Sequence, residues 1–152
     1  MWRIKAWLPA ALWMGVIFMM SAMPGDASAE TSGTLVRLLM GAISFLFGEE
    51  AAAAVSIDTI HLLIRKGAHM AEYAVLFLLY HRALRLEGAK RPCLMALMLC
   101  AAYASTDELH QAFVAGRGPS VIDVGVDTLG AGLAWGWTAA WIWLKEKRRI
   151  RR

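Results

Sequence analysis

The chain has 152 residues, 59% of them hydrophobic, with a mean hydropathy of +0.49. That length fits one domain, but the composition is too apolar for an ordinary soluble one. A net charge of +4 and a pI near 9.4, alongside seven tryptophans and long apolar runs, fit a basic membrane face and argue against nucleic acid as a partner.

Arg3 and Lys5 precede an apolar run over residues 6–23, which at about 1.5 Å per residue crosses most of the hydrocarbon core and is the first predicted span. The rival reading is a secretory signal peptide with Ala27-Ser28-Ala29 as its cleavage site. Under either reading the positive residues hold the N-terminal end inside, so the chain after residue 23 emerges outside the cytoplasm. Residues 24–33 are small and polar. The next apolar run, residues 35–47, contains Arg37 and stops at Gly48, Glu49 and Glu50. It is too short to span and predicts an interfacial helix, with Asp58 a candidate N-cap for the helix after it.

Three further spans are predicted over about residues 66–84, 93–113 and 121–144. A basic loop with Gly88 and Pro92 separates the first two, and a loop over residues 115–120 with Gly116, Gly118 and Pro119 separates the last two. Cys93 and Cys100 share one helical face and, with no third cysteine, form neither a zinc knuckle nor a disulfide framework; they read as packing residues. Thr128, Gly132, Gly136 and Ala140 recur every four residues and predict the face by which the fourth span packs on a neighbour.

Twelve of the 16 Lys and Arg lie in the N-terminal segment, the middle loop and the C-terminal tail, whereas ten of the 12 acids lie elsewhere. The positive-inside rule then puts both termini and the middle loop in the cytoplasm, and four spans make this consistent. Trp2, Trp7, Trp141 and Trp143 fall near the cytoplasmic interface, which indole rings favour. The predicted fold is therefore all-α: a polytopic bundle of four transmembrane helices plus an interfacial helix, N-in and C-in.

The remaining ionisable residues gather at the extracytoplasmic ends of three spans. An intramembrane charge costs about 2.5–3.5 kcal/mol on insertion scales, so such residues mark a polar interior or a site. His69, Glu72 and Tyr73 share one helical face, with Arg65 and Lys66 one turn further out; Asp107, His110 and Gln111 share another, beside Glu108; Asp123 and Asp127 are one turn apart. The candidate acid–base set is His69, Glu72, Tyr73, Asp107, Glu108, His110 and Gln111. Arg65, Lys66 and Arg117 are candidate anion ligands, and Asp123 and Asp127 candidates to orient a histidine or hold a cation. Plainer readings stand beside these. Ser120 and Asp123 resemble a capping box, Arg65 and Lys66 suit interfacial anchors, and Glu108 suits a water-facing position. No cofactor is predicted; His69, Glu72, His110 and the aspartates offer donors for a divalent metal, but without a specific metal-ligand spacing.

Arg65-Lys66-Gly-Ala-His69-Met-Ala-Glu72-Tyr73, Thr106-Asp107-Glu108-Leu-His110-Gln111, Gly116-Arg117 and Asp123-Val-Gly-Val-Asp127-Thr-Leu-Gly130, in that order, resemble the VanZ-like membrane protein family, and the stretch from Ser21 to Ser28 matches its pattern too. Ala115 departs from the proline that many members carry before Gly-Arg. The family is named for a teicoplanin-resistance protein, so the resemblance implies a bacterial envelope protein associated with lipoglycopeptide resistance. It does not supply a reaction.

The expected setting is the bacterial cytoplasmic membrane, with the bilayer as partner and an anionic lipid or lipid-linked envelope intermediate as the ligand of an enzyme or enzyme-like site. A non-enzymatic site for lipid or for the antibiotic's lipid tail is the alternative. A proton-coupled transporter is a weaker third, since no polar residue carries a path to the cytoplasmic side.

Overall fold

The computed structural model describes residues 2–150, leaving aside the side chains of residues 2, 25–32 and 150. Six helices run in chain order: α1 (Trp2–Ser21), α2 (Gly25–Phe47), α3 (Glu49–Ala53), α4 (Ile57–Leu86), α5 (Pro92–Gln111) and α6 (Val121–Ile150). The described residues contain no strand, as the all-α expectation requires. Trp2, Ala27-Ser28-Ala29 (as side chains) and the tail's Arg151 and Arg152 lie outside the described residues.

The five expected helices form where the sequence places them, with shifted ends, and the short α3 is an element that the apolar pattern does not announce. The run expected over residues 35–47 is the second half of α2, which starts at Gly25 and stops at Gly48, where φ is +91°. α4 begins nine residues before the predicted span and is capped by Ser56, whose Oγ accepts the Thr59 N–H at 3.4 Å. Asp58 is therefore a first-turn residue and not the cap: the hydroxyl two positions earlier already takes the orphan N–H, and the carboxylate keeps only a favourable place near the helix dipole. At its other end α4 closes on Gly88 (φ +76°), with Gly88 N–H donating to Arg85 C=O and Ala89 N–H to Leu84 C=O. That pair of bonds is a Schellman motif, which requires a left-handed residue and explains the glycine in the basic loop.

α4 is the centre of the bundle. Its inward stripe of Tyr73, Leu76, Phe77, Tyr80, Ala83 and Leu84 is buried against small residues on two neighbours: Ala96, Cys100 and Ala104 of α5, and Ala131 and Ala134 of α6. Large side chains on one helix thus meet shallow faces on the others, which lets the backbones come close. The closest approach is at Gly130, where an added Cβ would lie 2.2 Å from the Met70 carbonyl oxygen. Gly132 and Gly136 have nothing within 4 Å of such an atom. The expected packing face through Thr128, Gly132, Gly136 and Ala140 is thus replaced by Asp127, Gly130, Ala131 and Ala134. The reason is register: burial of Asp127 turns the neighbouring stripe outward.

α1 runs antiparallel to α4 and parallel to α5. Trp7 Nε1 donates to Glu87 at 3.0 Å, Trp13 Nε1 to the Glu72 carbonyl at 2.9 Å, and Tyr103 OH to the Met14 carbonyl at 2.7 Å. α4 and α6 run parallel, as Lys66 to Asp123 and Met70 to Gly130 show. The polar ends of α4, α5 and α6 therefore meet at one end of the bundle, and the basic segments gather at the other. There Lys145 and Lys147 lie over Trp141 and Trp143, with the ammonium 5.1 and 4.8 Å from the ring centroids.

Among the described residues, α1 over Arg3–Ser21 is the one helix long and apolar enough to cross a membrane by length and composition. The outward faces of the other helices are nonetheless apolar: Leu38, Phe45, Leu78, Met98, Leu133 and Trp137 are all exposed, Phe45 by 88% and Trp137 by 71%. A water-soluble monomer rarely exposes so many large apolar side chains.

Candidate functional site

The stripe that buries Ala96, Cys100 and Ala104 on α5 continues, at the same helical spacing, into Asp107 and Gln111. On α6 the stripe of Ala134, Ala131 and Gly130 continues into Asp127. The polar groups are inside because they sit on the inward faces of helices held together further down. Gln111 Nε2 donates to Asp107 Oδ2 at 3.3 Å, while the other Asp107 oxygen has no partner among the described residues. Tyr73 lies wholly buried beside this layer, its ring centroid 6.2 Å from that of Tyr103 and its hydroxyl without a described partner.

Asp127 is wholly buried, and neither of its carboxylate oxygens accepts a hydrogen bond from the described residues. His69 Nδ1 stands 3.5 Å from Asp127 Oδ1, an ion-pair distance that is long for a hydrogen bond. One turn earlier, Lys66 forms an ion pair with Asp123. This pairing neutralises Lys66, so of the three expected anion ligands only Arg65 and Arg117 keep a cationic group unmatched by any described ion pair.

Asp123 N–H donates to Ser120 Oγ at 3.2 Å, as a capping box requires. The return bond is made by another residue: Ser120 N–H donates to Glu108 Oε2 at 2.8 Å. Glu108 does not face water; it is buried and ties the end of α5 to the start of α6. A carboxylate accepting a backbone N–H gains a charge-assisted bond that water would otherwise have to supply. The loop so anchored turns at Gly116 (φ +73°) and carries Arg117 inward. Burial lowers the pKa of the Arg117 guanidinium, and the nearby charge of Arg65 lowers it further. Arginine nevertheless stays protonated, so a half-buried cation is in place. Its Nε has no described partner.

Two cavities open among these groups. The larger, about 220 Å³, has an apolar wall of Ile17, Met20, Met23, Leu35 and Ile64 and a polar wall of Ser21, Arg65, His69, Glu72 and Arg117. The smaller, about 110 Å³, lies between α4 and α6 and is lined by Leu62, Arg65, Lys66, His69, Asp123, Val126 and Asp127. Arg65 and His69 line both.

The structure thus gathers Arg65, Lys66, His69, Glu72, Arg117, Asp123 and Asp127 around the cavities, with Tyr73, Asp107 and Gln111 packed behind. His110 lines neither cavity; its ring lies tilted at 42° against Phe18, 4.4 Å between ring centroids, where α1 meets α5. No group of three or more His, Cys, Asp or Glu among the described residues is placed to hold a metal ion. The apolar wall and Ser21 were missed as site residues. Ser21 begins the stretch that resembles the family pattern, but the apolar wall had only the helical spacing of Ile17 and Met20 with Ser21 on α1, which any packed helix shows.

Fold and site together define a helical bundle with an amphiphilic cavity at its polar end. The chain belongs to the VanZ/LLP1 family, whose sequence profile matches residues 6–144. No curated protein and no solved structure matches it.

Proposed function

We propose that this protein is a multi-pass protein of the bacterial cytoplasmic membrane whose extracytoplasmic site binds an anionic lipid or lipid-linked envelope intermediate, and that this binding underlies a role in teicoplanin and other lipoglycopeptide resistance. The observation that carries the reading is the larger cavity, with two guanidinium groups and one carboxylate on one wall and aliphatic and thioether side chains on the other. An amphiphile with a phosphate at its polar end matches both walls at once. Arginine binds phosphate through a planar fork of donors, and the unpartnered Arg117 Nε is such a donor.

The exposed apolar faces support four membrane crossings by α1, α4, α5 and α6, with α2 and α3 at the external interface. The charges that keep α4, α5 and α6 from reading as apolar spans lie largely at their ends or on inward faces, where intramembrane charges belong. His69, paired with the buried Asp127 and adjacent to Glu72, gives the site an acid–base group beside the bound phosphate. Binding with chemistry and binding alone therefore share one geometry.

The test is lipid binding by the purified full-length protein, monitored by native mass spectrometry. Arg65→Ala and Arg117→Ala should each weaken retention of an anionic phospholipid by tenfold or more, the effect of losing about 1.5–3 kcal/mol of charge-assisted hydrogen bonding. Unchanged retention in both folded variants would remove the phosphate from the site.

A further inference from the structure

The smaller cavity differs from the larger in charge and in hydrogen-bonding demand. We propose that it is a headgroup subsite, and that the ligand is a phosphodiester lipid with a small neutral polyol headgroup, of the phosphatidylglycerol type. This rests on the anionic-lipid reading and narrows it.

Charge is the first argument. Lys66 pairs with Asp123 and His69 with Asp127, so these four groups carry no net charge when His69 is protonated; Arg65, which the two cavities share, and Arg117 then face Glu72 and leave one positive charge. One negative charge is matched where the cavities adjoin at Arg65 and His69, and an uncharged group is matched beyond it. A phosphomonoester would bring extra negative charge and leave the smaller cavity unfilled. An ammonium headgroup would bring a positive charge to a cavity whose acidic groups, Asp123 and Asp127, are already paired with Lys66 and His69.

The second argument is the wholly buried Asp127, whose two carboxylate oxygens take no hydrogen bond from the described residues. Apart from the His69 imidazole 3.5 Å from Oδ1, this buried carboxylate has no described donor, and a hydroxyl supplies one that a phosphate oxygen cannot. The third is size. The smaller cavity, at about 110 Å³, has half the volume of the larger and suits a short diol better than a bulkier hexose. The headgroup subsite therefore selects a glycerol-type phospholipid over a lipid-linked sugar.

The experiment titrates the purified full-length protein with dioleoyl phosphatidylglycerol, phosphatidic acid and phosphatidylethanolamine by native mass spectrometry. Phosphatidylglycerol should bind at least about tenfold more tightly than phosphatidic acid, the effect of one hydrogen bond to a charged acceptor. Leu62→Trp, at a half-exposed position on the smaller cavity, should bring phosphatidylglycerol down to the phosphatidic acid level and leave the latter unchanged; Val126→Phe should do the same from α6. Equal binding of the two anionic lipids by the wild type overturns the headgroup subsite while leaving the anionic-lipid reading intact. A phosphatidylglycerol preference that survives both substitutions overturns its location. Binding of neither anionic lipid, or phosphatidylethanolamine binding as tightly as phosphatidylglycerol, overturns the anionic-lipid reading itself.

Discussion

Glu108 shows how a single carboxylate can serve a site without touching its ligand. Its Oε2 accepts the Ser120 N–H at 2.8 Å, fixing the loop that delivers Arg117 to the larger cavity. Glu108→Ala strands that N–H at a cost of about 1–3 kcal/mol, and anionic-lipid affinity should fall with the melting temperature in detergent. Glu108→Gln keeps an acceptor oxygen and should restore both; loss of binding in Glu108→Gln with normal melting would instead make its charge part of the site. The acid–base residues are separable in the same way. His69→Gln, Glu72→Gln and Asp107→Asn keep shape and remove ionisation, so each should stay folded and retain lipid while raising teicoplanin susceptibility if proton transfer is required. Wild-type susceptibility in all three well-expressed variants would leave binding alone as the function. The residues that gather around the cavities were legible because charge inside an apolar segment is conspicuous. Glu108 was legible as polar but not in its role, since no spacing rule within one helix announces a bond to the next element. The apolar wall was not legible at all: Ile17, Met20 and Leu35 look like any other lipid-facing or core residue until the cavity is seen.

At the scale of the helices, the sequence periodicity located five of the six described elements, without the short α3, and misassigned one interface. A four-residue repeat of small side chains is a sound signal for close packing, yet α6 carries two such stripes and the longer one faces outward. Asp127 decides between them, because a carboxylate on the inward face commits Gly130, Ala131 and Ala134 to the contact with α4. Gly130→Ala would drive a methyl to 2.2 Å from the Met70 carbonyl oxygen; neither backbone can yield locally, so the helices must separate. The expected loss is about 1–3 kcal/mol or more, read as a lower melting temperature and a looser His69–Asp127 pair. Gly132→Ala, with open space around it, should be neutral or stabilising by up to about 1 kcal/mol through helix propensity. Equal melting of the two variants would return the packing face to the Gly132 stripe. The N-cap correction has the same origin: Ser56 and Asp58 are both good caps by type, and only the position at which the chain turns chooses between them.

For the molecule as a whole, the arrangement of charge makes the strongest claim. Antiparallel and parallel pairings bring the polar ends of α4, α5 and α6 to one end of the bundle and the N-terminal segment, middle loop and tail to the other. Twelve of the 16 Lys and Arg fall in those three segments of the sequence, and under the proposed topology the positive-inside rule puts that end in the cytoplasm and the cavities outside. A reporter active only in the cytoplasm should work when fused after Arg152, and one active only outside should work when inserted at Gly118. α1 enters the same prediction, because Trp13 bonds to the Glu72 carbonyl and Ile17, Met20 and Ser21 form part of the larger cavity. Cleavage after Ala29 would remove that wall, so intact mass measurement on the membrane-extracted protein should find α1 still attached. A cleaved product with undiminished lipid binding would show that the cavity is not the site. A reversed reporter pattern would place every polar cluster in the cytoplasm, where an envelope ligand does not reach it.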